Sequence, residues 1–151
     1  MMHDSEAADI ERAKGLSVQA LAASPRSPLA HYAKGQVLRA QRRFQEAIPE
    51  YETAAAFNPN WPGALRALAQ CKLFAGSIEE TIPLMERVIR LSPRDPQLGT
   101  WYQQIGWVHL LESRVEEAIP WLEKARNVIP AQPVIHAQLA SAGIVNLTES
   151  R

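Results

Sequence analysis

A chain of 151 residues with 16 basic and 16 acidic side chains is long enough for one compact domain or a short stack of repeats, and it carries no net field to gather nucleic acid or an anionic membrane. The opening Met1-Met2-His3-Asp4-Ser5-Glu6 lacks the basic and apolar stretches of a secretory signal, and no apolar run approaches the ~18 residues that span a bilayer, so a cytoplasmic protein is expected. Cys71 stands alone, which excludes an internal disulfide and a cysteine-based zinc site; Asn146-Leu147-Thr148 spells a glycosylation sequon by chance on this reading.

The first predicted helix covers residues near 5–23 and is closed by Pro25. Ser27-Pro28 then places a side-chain acceptor and a proline where a helix opens and no backbone N–H is needed, so a helix is expected over 28–41. Its neighbour over 44–57 ends before Pro59. The next pair is expected over 62–75 and 78–91, divided by Gly76, a residue that can end a helix in the left-handed conformation. Ser77-Ile78-Glu79-Glu80 spells a capping box for the second of them, as Ser113-Arg114-Val115-Glu116 does for a helix over 114–128. Helices over 97–112 and 132–146 complete the set. Pro49, Pro83 and Pro120 fall near the starts of their helices, where a missing hydrogen bond costs least.

These helices follow a period. Pro25, Pro59, Pro93 and Pro130 lie 34, 34 and 37 residues apart. Counting back from each proline, small or β-branched residues recur at two positions, Ala13, Ala47, Thr81 and Ala118 and then Ala20, Ala54, Val88 and Ala125. Between them stand Ser17, Tyr51, Met85 and Leu122; further upstream stand Gly35, Ala69 and Gly106, with Ala140 in the same register 34 residues beyond Gly106. Small residues at fixed places let two helices approach closely, and the large one fills the space between hairpins. A period of about 34 residues built this way predicts an all-α, right-handed α-solenoid of antiparallel helix hairpins.

The blocks resemble the tetratricopeptide repeat, whose pattern runs W-x₂-L-G-x₂-Y, A-x₃-F and a terminal proline. Ile105-Gly106 supplies the Leu-Gly pair, Ala47-x₃-Tyr51 and Ala118-x₃-Leu122 the Ala-x₃-Phe element, and Pro59 and Pro93 the close; three extra residues lengthen the loop around Arg94-Asp95-Pro96. One domain over 1–151 is expected, with a half-repeat at 5–25, repeats at 27–60, 61–94 and 95–131, and a truncated repeat at 132–151. The stretch from Leu91 to Tyr102, with Ile105-Gly106, His109-Leu110-Leu111 and Glu116-Glu117-Ala118-Ile119, also resembles the repeat region of bacterial class III adenylate/guanylate cyclase-type signalling proteins, over roughly residues 8–142. That second resemblance implies a regulatory or docking module and no cyclase activity, because no strand-rich segment is present to hold paired aspartates and metal against a triphosphate.

Signals for chemistry are weak. His3, His31, His109 and His136 form no ligand pair in the H-E-x-x-H manner, the seven glycines are scattered, and Glu79-Glu80 and Glu116-Glu117 sit in first turns where the helix dipole accounts for them. A non-enzymatic chain without cofactor or metal is expected. Trp61, Trp101, Trp121, Phe44, Phe57 and Phe74 are assigned to hairpin core and loop anchors. The resemblance implies that the first helix of each repeat lines a concave groove, which here collects Leu29, Tyr32, Gln36 and Arg39; Gly63, Arg66, Gln70 and Leu73; and Thr100, Gln103, Trp107 and Leu110, with Gln104 and Gln138 close by. Tyr, Trp and Arg carry binding energy most often, and glutamine can bond a peptide backbone, so a protein or peptide partner is expected on Tyr32, Gln36, Arg39, Arg66, Gln70, Gln103, Gln104, Trp107 and Gln138, with no nucleic acid and no membrane. The Lys and Asn clamp by which some relatives hold a C-terminal carboxylate is absent, since Tyr32, Gln36, Arg66 and Gln70 occupy those places. Homo-oligomerisation through uncapped ends is the other expectation, from Ile144, Val145 and Leu147 in a tail without a covering helix.

Overall fold

The computed structural model describes residues 2–149, with side chains over residues 4–143. Every regular element among them is helical: α1 (Met2–Ala23), α2 (Pro28–Ala40), α3 (Phe44–Phe57), α4 (Pro62–Ala75), α5 (Thr81–Leu91), α6 (Leu98–Leu111), α7 (Val115–Val128) and α8 (Pro133–Glu149). The expected extents differ mainly at α5, where Ile78–Glu80 form a separate 3₁₀ turn ahead of the α-helix. Pro83 withdraws an N–H from that region; Pro49 and Pro120 do the same inside α3 and α7, which stay α-helical, so the proline permits the tighter turn without imposing it.

Prolines open three of the helices. Pro28, Pro62 and Pro133 stand at their starts, and the Ser27 hydroxyl accepts from the Ala30 N–H at 3.2 Å as the cap of α2. The reverse turns between paired helices share one device. Arg42 (φ 60°), Gly76 (φ 94°) and Ser113 (φ 59°) take the left-handed conformation, and the next residue's N–H returns to a carbonyl five residues back: Arg43 to Leu38, Ser77 to Lys72 and Arg114 to His109. This corrects the Ser113 capping box and the Glu80-to-Ser77 half of the other. Ser113 is the turn residue itself and Arg114 holds the cap of α7 without a side-chain bond, while the Ser77 N–H is taken by Lys72 and the Glu80 carboxylate by the Lys72 ammonium.

The chain divides into two compact units, Met1–Glu80 and Thr81–Arg151. In the first, α1 packs on α2, α2 on α3 and α3 on α4; Tyr51, Leu65, Ala47 and Ala54 are buried at its centre. In the second, α5 packs on α6, α6 on α7 and α7 on α8, around Met85, Ile105, Leu122 and Ile135. Fully burying such a side chain stabilises by roughly 1.5–3 kcal/mol, so these few residues carry much of each unit's cohesion. Two aromatic assignments change: Phe57 and Phe74 are 52% and 56% exposed, Phe74 resting on Phe44 with ring centroids 5.1 Å apart. The tail side chains Ile144, Val145 and Leu147 lie outside the described ones.

Candidate functional site

Tyr32, Gln36 and Arg39 stand four and three residues apart on α2, so they share one stripe; Arg66 and Gln70 repeat the four-residue step on α4. Gln36 is held from both ends. Its amide nitrogen donates to the Tyr32 hydroxyl at 2.7 Å and its carbonyl accepts from the Tyr51 hydroxyl at 2.9 Å. Tyr32 in turn lies against Trp61, centroids 4.5 Å apart, and edge-on to Tyr51 at 5.7 Å. Arg39 Nη1 donates to Gln70 Oε1 at 2.7 Å and so ties the stripe of α2 to that of α4. Five predicted site residues of the first unit thus belong to one surface, but four of them bond within it. Arg66 does not: half-buried, it has no hydrogen bond or ion pair among the described residues, and Arg39 has no carboxylate partner among them either.

Burial pushes the Tyr51 phenol above its ordinary range, although the positive charges of Arg39 and Arg66 act to lower it. The same burial raises the Cys71 thiol to about 11, and the neutral, fully covered sulfur is an inert core group. At the flank, Glu50 accepts from Lys34 at 2.6 Å and meets His31 Nδ1 at 2.7 Å, while His31 Nε2 reaches the Pro25 carbonyl at 2.8 Å. Burial works to raise the Glu50 carboxyl, but the hydrogen bonds from Lys34 and His31 outweigh it and hold the group below the usual carboxylate range.

In the second unit Gln103 donates to Gln138 at 3.0 Å, joining α6 to α8. Gln104 and Trp107 are half-buried and make no hydrogen bond or ring contact among the described residues. The aromatic cluster of this unit lies elsewhere, with Tyr102 against Trp121 (5.8 Å) and Lys124 over the Trp121 ring at 4.7 Å. His136 repeats the tie of His31, its Nε2 on the Pro130 carbonyl at 2.7 Å. His109 is buried, and burial together with the Arg114 charge lowers its pKa. No group of three His, Cys, Asp or Glu side chains gathers among the described residues, and none of the helices is long and apolar enough to cross a membrane.

Tyr51 and Trp61 are the contributors that sequence reasoning missed. Periodicity places the Tyr51 ring in the core but is silent on how far its hydroxyl reaches, and Trp61, assigned to a loop anchor, is also one wall of the stripe.

Two models of the tetratricopeptide repeat match the chain, over residues 5–64 and 38–105. The chain belongs to the tetratricopeptide repeat family. Its helical hairpins are accordingly those of an α-solenoid, a fold also found in solved structures that it resembles. The crystal structure of MamA superposes with a TM-score of 0.80 at 17% identity, over 89% of this chain and 77% of that one. MamA (41-end) from Desulfovibrio magneticus RS-1 gives 0.73 at 22%, over 85% and 71%. Pseudomonas aeruginosa PilF gives 0.79 at 20%, over 97% and 66%. At these identities the likeness concerns the fold alone. No curated protein matches. Tetratricopeptide repeat proteins generally act in protein–protein interactions and are typically non-catalytic scaffolds. None of these matches is to a cyclase-type protein, so the cyclase likeness rests on the sequence motifs alone.

Proposed function

We propose that this tetratricopeptide repeat chain is a non-enzymatic binding module whose α2–α4 stripe receives an extended protein segment rich in acceptors, either carboxylates or unpaired main-chain carbonyls. The observation that carries the reading is the pair Arg39 and Arg66 on one surface with no acidic side chain to neutralise them among the described residues. A half-buried guanidinium with no acceptor is unfavourable when left unpaired, and an arriving carboxylate would make a charge-assisted, two-pronged bond. Tyr32 and Trp61 add a preorganised aromatic wall, and Gln36 and Gln70 are already oriented by their neighbours. The second unit, taken by itself, offers a less charged surface in Gln103, Gln104, Trp107 and Gln138. The cyclase-linked alternative has no structural observation in its favour.

Capture from native extract with the intact chain supplies the segment, and titration with that segment supplies the test. Arg66→Ala is expected to weaken binding by about 2 kcal/mol, some 30-fold, and to flatten its salt dependence. Binding unchanged by Arg66→Ala and Arg39→Ala together removes the stripe as the site.

A further inference from the structure

The small positions of a second helix are buried wherever a first helix lies on them. Ala47 and Ala54 of α3, and Ala118 and Ala125 of α7, are 0% exposed. Helix α1 carries the same register in Ala13 and Ala20, yet both are exposed, and Leu16 between them is 60% exposed. On that side a cleft of about 880 Å³ runs between α1 and α2, with Ile10, Ala13 and Ala20 on one wall and Leu29, Ala33 and Val37 on the other. Its chemistry is that of a helix–helix seam, apolar and small-sided along its length; Glu6 and Asp9 border it on α1. The place is the one a first helix of this repeat would occupy.

What fits there is defined by the other hairpins. A Cβ on Gly35 would stand 2.8 Å from the Tyr51 ring, and one on Gly106 would stand 2.6 Å from Leu122, so a large second-helix residue rests on a bare first-helix backbone in both. In α1 the corresponding residue is the small Ser17, which borders the cleft but is itself only 3% exposed, its hydroxyl satisfied by the Lys14 carbonyl at 2.8 Å. Helix α8 is in first-helix register with Ala140 at that position, and Ala137 and Ala140 are exposed on one flank. From Pro133 to Thr148 its sequence holds no Lys, Arg, Asp or Glu, so it can be covered on a second side without desolvating a full charge; α2 and α4 carry Lys34, Arg39, Arg66 and Lys72.

We propose that α8 of one copy seats in the α1–α2 cleft of another and pairs with α1 as the first helix of a completed hairpin. The two surfaces differ, so the contact is heterologous and repeats head to tail unless it closes on itself. The inference goes beyond the peptide-binding reading. Tyr32 and Gln36 also border the cleft, but Ala13 and Ala140 take no part in the Arg39–Arg66 surface, so either idea can fail without the other.

Sedimentation of the full chain over a dilution series tests it, with Ala13→Arg to block the cleft and Ala140→Arg to block α8; Leu16→Glu is an independent block of the cleft. The wild-type mass is expected to rise with concentration. Each variant alone is expected to stay monomeric with unchanged helical circular dichroism, and an equimolar mixture of the two should form a one-to-one dimer, because each retains the surface the other lacks. A wild-type chain that is monomeric at its highest soluble concentration overturns the proposal, whether the cleft is empty or filled by the chain's own α8. Assembly that survives either block also overturns it, and a mixture that stays monomeric shows a like-to-like contact or none.

Discussion

Tyr51 lies directly on Gly35, close enough that a Cβ at residue 35 would meet the ring at 2.8 Å. The ring cannot withdraw: it is fully buried, its hydroxyl is bonded to Gln36, and Tyr32 packs against its edge. The eight-residue span from Tyr32 to Arg39 keeps its place on α3 through this approach, so the glycine serves the candidate surface as well as the core.

Glycine-to-alanine changes should therefore separate by site. Alanine favours a helix over glycine by about 1 kcal/mol, whereas overpacking a core costs roughly 1–3 kcal/mol. Gly35→Ala and Gly106→Ala are expected to lower the urea midpoint, the second by more, because the Leu122 backbone nitrogen lies 3.3 Å from the added carbon. Gly15→Ala in α1, where nothing lies within 4 Å, is expected to raise it. A gain at all three sites would mean that the hairpins are looser than their geometry implies.

The turn residues sort in the opposite sense. Arg42 and Ser113 hold a left-handed conformation that costs a non-glycine residue about 1–2 kcal/mol, and Gly76 adopts it freely. Arg42→Gly and Ser113→Gly are expected to raise thermal stability, by somewhat less than that cost since glycine loses more freedom on folding. Gly76→Ala should lower it. Thermal melts of the three variants decide the matter.

Glu50 and His109 both contribute to the acid response. Glu50 is held below its ordinary carboxylate range, so the folded chain resists protonating it; its contribution is complete above about pH 4.5 and is lost as the pH falls through the folded value. His109 is lowered from 6.5 by burial and by Arg114, and its buried Nδ1 has no partner among the described residues; the unfolded chain takes up that proton first, so stability drops as the pH falls below 6.5. Glu50→Gln is expected to cost about 1 kcal/mol at neutral pH and progressively less in acid. His109→Leu should flatten the decline between about pH 7 and pH 5. Urea titrations across that range read both effects.

Much of the helical framework was legible in the sequence. Ser27-Pro28, Gly76 and the proline beat act within a few residues of themselves, through caps, missing N–H groups and permitted dihedrals, and the observed helices follow them. The capping boxes differ because Ser113 is itself a left-handed turn residue and Ser77 follows one at Gly76, where a returning main-chain bond claims the N–H that Glu80 would have used. The division between units inside the block 61–94 is likewise unwritten in the period, which records repeat length and not how closely neighbours pack.

The candidate surface divides in the same way. The four- and three-residue spacings already put Tyr32, Gln36 and Arg39 on one stripe, because helical geometry alone decides which residues share a side. That Arg39 bonds to Gln70 while Arg66 finds no partner among the described residues was decided by the approach of two helices that brings together residues 31 apart in sequence. The same holds for Ala13 and Ala20, whose register marks them for burial and whose exposure depends on which helix lies beside them. Local sequence determines backbone conformation and facing. Satisfaction of a charge or an alanine's burial belongs to whatever the fold brings opposite.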